Sequence, residues 1–283
     1  MFQSKKKKTI AILEINGVIS ASSKKQLAIS DEFDLMGMLE FLAKLHRDTQ
    51  PLDGFLLRLN TPGGTAAASE ELARSICKVR EERHIPIVAS MADVCCSGGY
   101  MIACVADKIY ANTQTLTGSI GTILQLPNYE ELANKIGVRV VTIKSGKMKD
   151  IGNPMRPMSV DEIDYLDDLA ENAHLRFSNF VLKHRPNIQN PVEMMDGRPV
   201  DAMTAKENGL IDAFGTYYDA YDDLLKLVGL PTADYLAVKE LRLKKKKGFI
   251  KRLIGSAMQP ILPREVLQLL SSMQGNSVQS PLS

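Results

Sequence analysis

Between Thr9 and about Leu230, short apolar β-rich runs alternate with longer amphipathic stretches, and Gly-containing turns mark the joins. This alternation is the strongest constraint on the fold. Thr9–Ile19, Asp53–Leu59, Ile85–Met91, Lys108–Ala111 and Val138–Ile143 (VRVVTI) have the β-branched, closely spaced apolar residues of buried strands. Between them, residues 30–47 place Phe33, Met36, Leu39, Leu42, Ala43 and Leu45 at helical spacing. Residues 65–83 form a second helix with Ile76 and Val79 on its apolar side, and Val160–Leu182 is a long amphipathic helix. Shorter helices are expected at Gly98–Ala106 and Tyr129–Ile136. Strands separated by helices return in the same direction and pair in parallel. The expectation is therefore an α/β fold, with parallel β-sheet units flanked by helices.

The charge is unevenly distributed. The formal net charge is +2, but Lys5–Lys8 contribute +4, and residues 241–283 hold eight basic side chains against one acid, Glu265. Residues 9–240 are left near −9. An acidic body with 6% aromatics and no Trp does not suit the stacking surface of a nucleic-acid binder. The chain thus divides into a basic tail (1–8), a folded domain (9–240) and a basic, amphipathic extension (241–283). In the extension, GFIKRLIGSAM puts Phe249, Ile250, Leu253 and Ile254 on one side, which suits contact with an anionic membrane surface. The first apolar run is too short to span a bilayer and is interrupted by Glu14. With no small-residue cleavage pattern behind it, the chain reads as cytoplasmic, peripheral at a membrane at most. Cys77, Cys95, Cys96 and Cys104 lack metal-site spacing and read as reduced packing residues.

Two Gly-rich joins carry the candidate chemistry. In VCCSGGYMIAC, a strand ends at Ser97, two glycines follow, and an apolar helix opens. That order suits a nucleophile elbow, with the Gly98 N–H at a helix N-terminus; it also suits a plain N-cap serine. In NTPGG (Asn60–Gly64), the turn leaves backbone N–H groups free to hold an oxyanion, or it is an ordinary strand-to-helix turn. A nucleophilic serine needs a base. His46, His84, His174 and His184 all fall on or beside charged or amphipathic helices, and none sits in a strand-end loop. Lys144, Lys147 and Lys149 share the loop KSGKMKDIG, and the residues alone do not choose among them.

LRLNTPGG, SMADVCCSGGYMIACVADKIYANTQTLTGSIGTI and IKSGKMKDIGNPMRPMS, in this order, resemble the signal peptide peptidase A family of Ser-Lys peptidases. That family belongs to the Clp protease/crotonase superfamily, and the resemblance spans roughly Thr9 to Leu230. It implies a Clp/crotonase-like fold with Ser97 as nucleophile, Lys149 as general base and Ser119 (in TGSIG) orienting the lysine amine. Gly64 and Gly98 would supply the oxyanion N–H groups, and no metal or cofactor is implied. It further implies hydrophobic peptide substrates, signal-peptide remnants among them, and a homo-oligomer. The pocket is expected between the Met91–Ala103 and Thr117–Leu126 segments. The sequence departs from the family in two ways. Its members commonly carry an N-terminal membrane anchor, which is not read here, and small residues would be expected where Cys95 and Cys96 stand. Two other activities are weighed: an acyl-CoA-processing enzyme of the crotonase type, in which TGSIG and KDI would have no job, and a catalytically silent scaffold. A stomatin-linked Ser-Lys peptidase group is close, but the 52 positions from Ser97 to Lys149 favour signal peptide peptidase A.

Overall fold

The computed structural model describes residues 7–21, 33–230 and 235–243. The amphipathic pieces of the C-terminal extension, and Lys5 and Lys6, lie outside the described residues. In chain order the elements are β1 (Lys8–Asn16), α1 (Leu35–Arg47), β2 (Gly54–Thr61), α2 (Ala66–Arg83), β3 (Ile87–Cys96), α3 (Gly98–Ala103), β4 (Lys108–Ala111) and β5 (Leu116–Gly118). The second half continues with α4 (Glu130–Lys135), α5 (Val160–His184), α6 (Pro191–Met194), β6 (Pro199–Asp201), α7 (Ala202–Glu207), β7 (Ala213–Phe214), α8 (Tyr217–Leu227) and β8 (Val238–Arg242).

Among the described residues the strands form one sheet in the order β6-β5-β3-β2-β1-β8, with β4 and β7 branching from β3. Every pairing is parallel except β5 with β6. The α/β class expected from the alternation is the one observed. Both faces of the central strands are covered, as parallel sheets require. Ala11, Leu13, Ile15, Phe55, Leu57, Leu59, Ala89 and Met91 point to the face packed by α1, α2 and α3. Ile10, Ile12, Leu56 and Val88 point to the other face, under α8. The alternation with period two is the pleat of the strands read directly from the sequence.

The helices start where their first residues can satisfy free N–H groups. The Ser159 side chain accepts from the Glu162 N–H, and Glu162 returns the bond to the Ser159 N–H, a capping box that opens α5. Thr216 and Asp219 do the same for α8. In the core, Tyr100 on α3 is fully buried and donates its hydroxyl proton to the Leu210 carbonyl at 2.9 Å. Tyr100→Phe removes that donor and strands the carbonyl. It is expected to cost about 1–2 kcal/mol in denaturant unfolding, with the fold retained.

The structure departs from expectation at Val138–Ile143. VRVVTI has the composition of a strand, yet it belongs to none. No strand of the described residues lies alongside it to pair with, and a lone strand leaves its backbone groups unsatisfied. Its side chains stay in the open, with Val141 at 86% and Ile143 at 96% of full exposure. No helix among the described residues is long and apolar enough to cross a membrane.

Candidate active site

The site begins with a strand that changes partner. The first half of β3 pairs with β4 through Val88–Ser90, and its last half pairs with β5 through Val94–Cys96. A register shift against β2 between Leu59 and Thr61 accompanies the change. Such irregularities bend a strand and re-aim its end. In the β3–β5 register Cys96 faces Gly118, so the next residues, Ser97 and Ser119, leave the sheet side by side. The Ser97 N–H donates to the Gly118 carbonyl at 2.8 Å, and the Ser119 N–H donates to the Arg198 carbonyl at 2.9 Å. Both serines have φ of 52°. Ser97, with ψ of −122°, sits directly ahead of α3. Positive φ in a residue with a side chain stores about 1–3 kcal/mol of strain, sustained by the surrounding structure. A strained serine on a sharp strand-to-helix turn is the geometry that exposes its hydroxyl.

The NTPGG turn packs backbone against backbone on the Ser97 turn. Gly63 has φ of 100°, and a Cβ there would meet the Cys96 carbonyl, the Gly98 nitrogen and Ser97 Cβ, each at 2.8 Å. A Cβ on Gly98 would collide with Ser69 Oγ and lie 3.6 Å from the Gly64 nitrogen. The two loops therefore approach as closely as they do because the glycines carry no side chain. Residues 19 and 64 form a parallel bridge in which Ile19 donates to the Gly63 carbonyl and Thr65 donates to Ile19. That pattern leaves the Gly64 N–H outside it. Gly98 is the first residue of α3, so its N–H has no acceptor within the helix. Neither N–H is used by these backbone bonds, and both belong to the turns packed against Ser97.

A cavity of about 640 Å³ opens over this pair of turns. Ser97, Ser119, Gly121, Thr122 and Ile123 form one side, drawn from the two segments expected to build the pocket. The other side comes from Asp167, Ala170, Glu171 and His174 on α5, with Asp196 and Gly197. The sequence offers His174 only as one of four histidines on or beside charged or amphipathic helices, because a histidine on a long helix carries no sign of what lies opposite. The spacing of 167, 170, 171 and 174 is one face of a helix, a signal that Ala170 and its polar neighbours share a surface. His174 Nδ1 is buried and has no hydrogen-bond partner among the described residues.

Cys95 and Cys96 do not compete with Ser97. Burial pushes the Cys95 thiol well up and Cys96 to about 11. Both therefore stay protonated thiols, which are weak nucleophiles.

Lys149 is not among the residues lining the cavity. It sits, exposed, in the irregular loop between α4 and α5. The three lysines of that loop differ in their partners. Lys144 pairs with Asp150 and Lys147 with Asp161. Among the described residues, Lys149 alone of the three has no carboxylate partner.

A family model, peptidase family S49, matches residues 80–231, which takes in the Ser97 turn, the Lys149 loop and α5. A protein of Enterococcus faecium assigned as a signal peptide peptidase SppA is 37% identical over 233 residues, covering 82% of this chain and 67% of the relative. A protein of Methanocaldococcus jannaschii assigned as a protease is 35% identical, covering 74% of this chain and 66% of the relative. The chain thus spans about two thirds of the length of these relatives. Among solved structures, a mutant of the 1510-N membrane-bound stomatin-specific protease aligns with a TM-score of 0.48 and 13% identity, covering 85% of this chain and 99% of that one. The chain belongs to the signal peptide peptidase A family of S49 serine peptidases.

Proposed function

We propose that this chain is an endopeptidase with a Ser97–Lys149 dyad, and that it degrades hydrophobic peptides such as cleaved signal peptides. The observation that carries the proposal is the strained Ser97, in register with Ser119 and flanked by the Gly64 and Gly98 N–H groups. Neutral Lys149 takes the Ser97 proton as Oγ attacks the scissile carbonyl, and Ser119 orients the lysine amine. The tetrahedral oxyanion is held by the two glycine N–H groups. Lys149 then gives its proton to the departing amine, and water, deprotonated by Lys149, releases the acyl chain from Ser97. Lys144 and Lys147 are poorly suited to this role, since a carboxylate partner favours the charged ammonium; Asp161 pushes Lys147 upward in just this way.

Lys149 does not line the Ser97 cavity of its own chain, so this mechanism needs assembly. The exposed Val138–Ile143 segment just ahead of Lys149 has apolar side chains and backbone groups that a second copy would cover. A homo-oligomer that seats this segment on a neighbour would bring the Lys149 loop of one copy to the Ser97 of another. The basic extension, outside the described residues, would hold the assembly at an anionic bilayer, where hydrophobic remnants reside.

A second reading uses His174, because it lines the same cavity as Ser97. A peptidyl phosphonate that phosphonylates activated serines separates the two readings. The adduct is expected on Ser97, to persist in His174→Ala and to be lost in Lys149→Ala. An adduct lost in His174→Ala and kept in Lys149→Ala would hand the base role to the histidine.

A further inference from the structure

We infer that Arg156, clamped between Asp150 and Glu162, is the positioning residue for the Lys149 amine. The inference rests on Lys149 being the base of the proposed dyad. Between Ala133 and Glu162 no residue is buried, and from residue 136 to 159 there is no helix or strand. Apolar packing therefore does not hold the Lys149 loop in place. The polar network does. Arg156 Nε donates to Asp150 Oδ2 at 2.9 Å, and Nη2 donates to Asp150 Oδ1 at 2.9 Å. On the other side, Nη1 and Nη2 donate to the two oxygens of Glu162 at 2.8 and 2.6 Å. Nη1 also donates to the Pro157 carbonyl at 2.9 Å, so all three guanidinium nitrogens are engaged.

Each end of the clamp is anchored. Glu162 is only 3% exposed, and its Oε2 accepts the Ser159 N–H at 2.9 Å, so it belongs to the N-terminus of α5. Asp150 is the residue after Lys149, and its own carbonyl also accepts from Arg156 at 3.2 Å. Fixing Asp150 at both its side chain and its backbone fixes the direction in which Lys149 leaves the chain. Lys147 also pairs with Asp161 in the first turn of α5, but both side chains are exposed, and a surface pair of this kind adds little hold on the loop. Only a planar fork can grip two carboxylates in this way; an ammonium cannot.

The clamp also controls charge. Asp150 is the carboxylate nearest Lys149 in sequence, and Arg156 and Lys144 occupy it. Arg156 and Lys144 hold Asp150 well below the usual carboxylate range, and Arg156 holds Glu162 down to about 2. Both carboxylates are thus engaged by the clamp, and among the described residues neither pairs with Lys149.

The test compares Arg156→Ala, Arg156→Lys, Lys147→Ala and Lys149→Ala in the full chain. The readouts are turnover of a fluorogenic hydrophobic peptide across the neutral and alkaline range, and thermal unfolding. Arg156→Ala is expected to lower kcat about 100-fold, the cost of a small displacement of a reacting group, with KM little changed. Its rate should rise with pH at a higher pH than in the wild type, because Asp150 Oδ2, held by Arg156 and not by Lys144, becomes free to pair with the Lys149 ammonium. Arg156→Lys should fall between the two in kcat and in the position of that rise, and Lys147→Ala should keep most of the activity. A merely structural role would lower the unfolding temperature and leave the position of the rise unchanged, and that result overturns the inference. Wild-type kcat in Arg156→Ala beside an inactive Lys149→Ala also overturns it, while sparing the dyad. Full activity in Lys149→Ala overturns the dyad and the inference together. If Arg156→Ala fails to fold, Arg156→Lys decides, and a wild-type profile there ends the inference.

Discussion

Ser97→Ala and Lys149→Ala are each expected to lower kcat by about 10⁴-fold or more, with unfolding curves close to wild type. The expected size follows from the roles being one unit. Without Ser97 Oγ there is no acyl-enzyme, and without a neutral amine the hydroxyl keeps its proton. The double variant should therefore be no worse than either single one, because the second loss removes nothing that still functions. Ser97→Ala keeps the Cβ and with it the strain at a φ of 52°, so its stability is expected to match the wild type. Peptide turnover and circular dichroism on matched preparations check this. Full turnover by folded Lys149→Ala would remove the lysine from the mechanism. If the dyad is shared between copies, mixing inactive Ser97→Ala with inactive Lys149→Ala should restore part of the activity, since some interfaces would then pair an intact serine with an intact lysine.

The second large effect is expected at Gly64→Ala. A Cβ at this position would be driven into the Ile19 carbonyl, and that carbonyl is already committed to the Thr65 N–H at 2.8 Å. The obstacle is backbone on both sides, so no rotamer relieves it. The turn must shift, and about 3 kcal/mol of stability should be lost, as in other overpacked sites. The shift would also move the Gly64 N–H away from the oxyanion position. Losing one such donor costs about 10²–10³ in kcat. Denaturant unfolding and turnover read the two effects separately. A Gly64→Ala protein that is destabilised but fully active would show that this N–H takes no part in the reaction.

Several features could be read from local sequence because their causes are local. The lysine-to-alanine stretch Lys108–Ala111 is observed as β4 with the expected bounds, and the long amphipathic run from Val160 is observed as α5, opened by Ser159 and Glu162. The turn at Ser97 was legible from strand-forming residues meeting two glycines, because only small residues let a chain reverse so tightly. The approach of Gly64 to Gly98 was suggested by two Gly-rich joins, each following a strand. Its closeness is visible only when a missing Cβ is put back.

Other features lay beyond local reading. VRVVTI has the residues of a strand, but a strand exists only where a neighbour supplies hydrogen bonds, and the described residues supply none there. His174 lines the cavity because the fold sets one face of α5 across it from Ser97, a juxtaposition of residues far apart in sequence. Arg156 looked like one more charge in a proline-rich loop, since nothing in MRPMS says that two carboxylates, six residues to either side, close on one guanidinium.

By itself, then, the sequence determined the period of each element, the places where the backbone must turn, and which side chains are chemically able to act. These depend on φ/ψ preference and side-chain size over a few residues. The tertiary structure alone decided that β3 forks so that Ser97 stands beside Ser119, that α5 forms a wall of the cavity, and that the Lys149 loop is held by charge instead of by packing. Those outcomes depend on parallel register and on long-range pairing, and a register is chosen by the whole buried face, which no short stretch of chain contains.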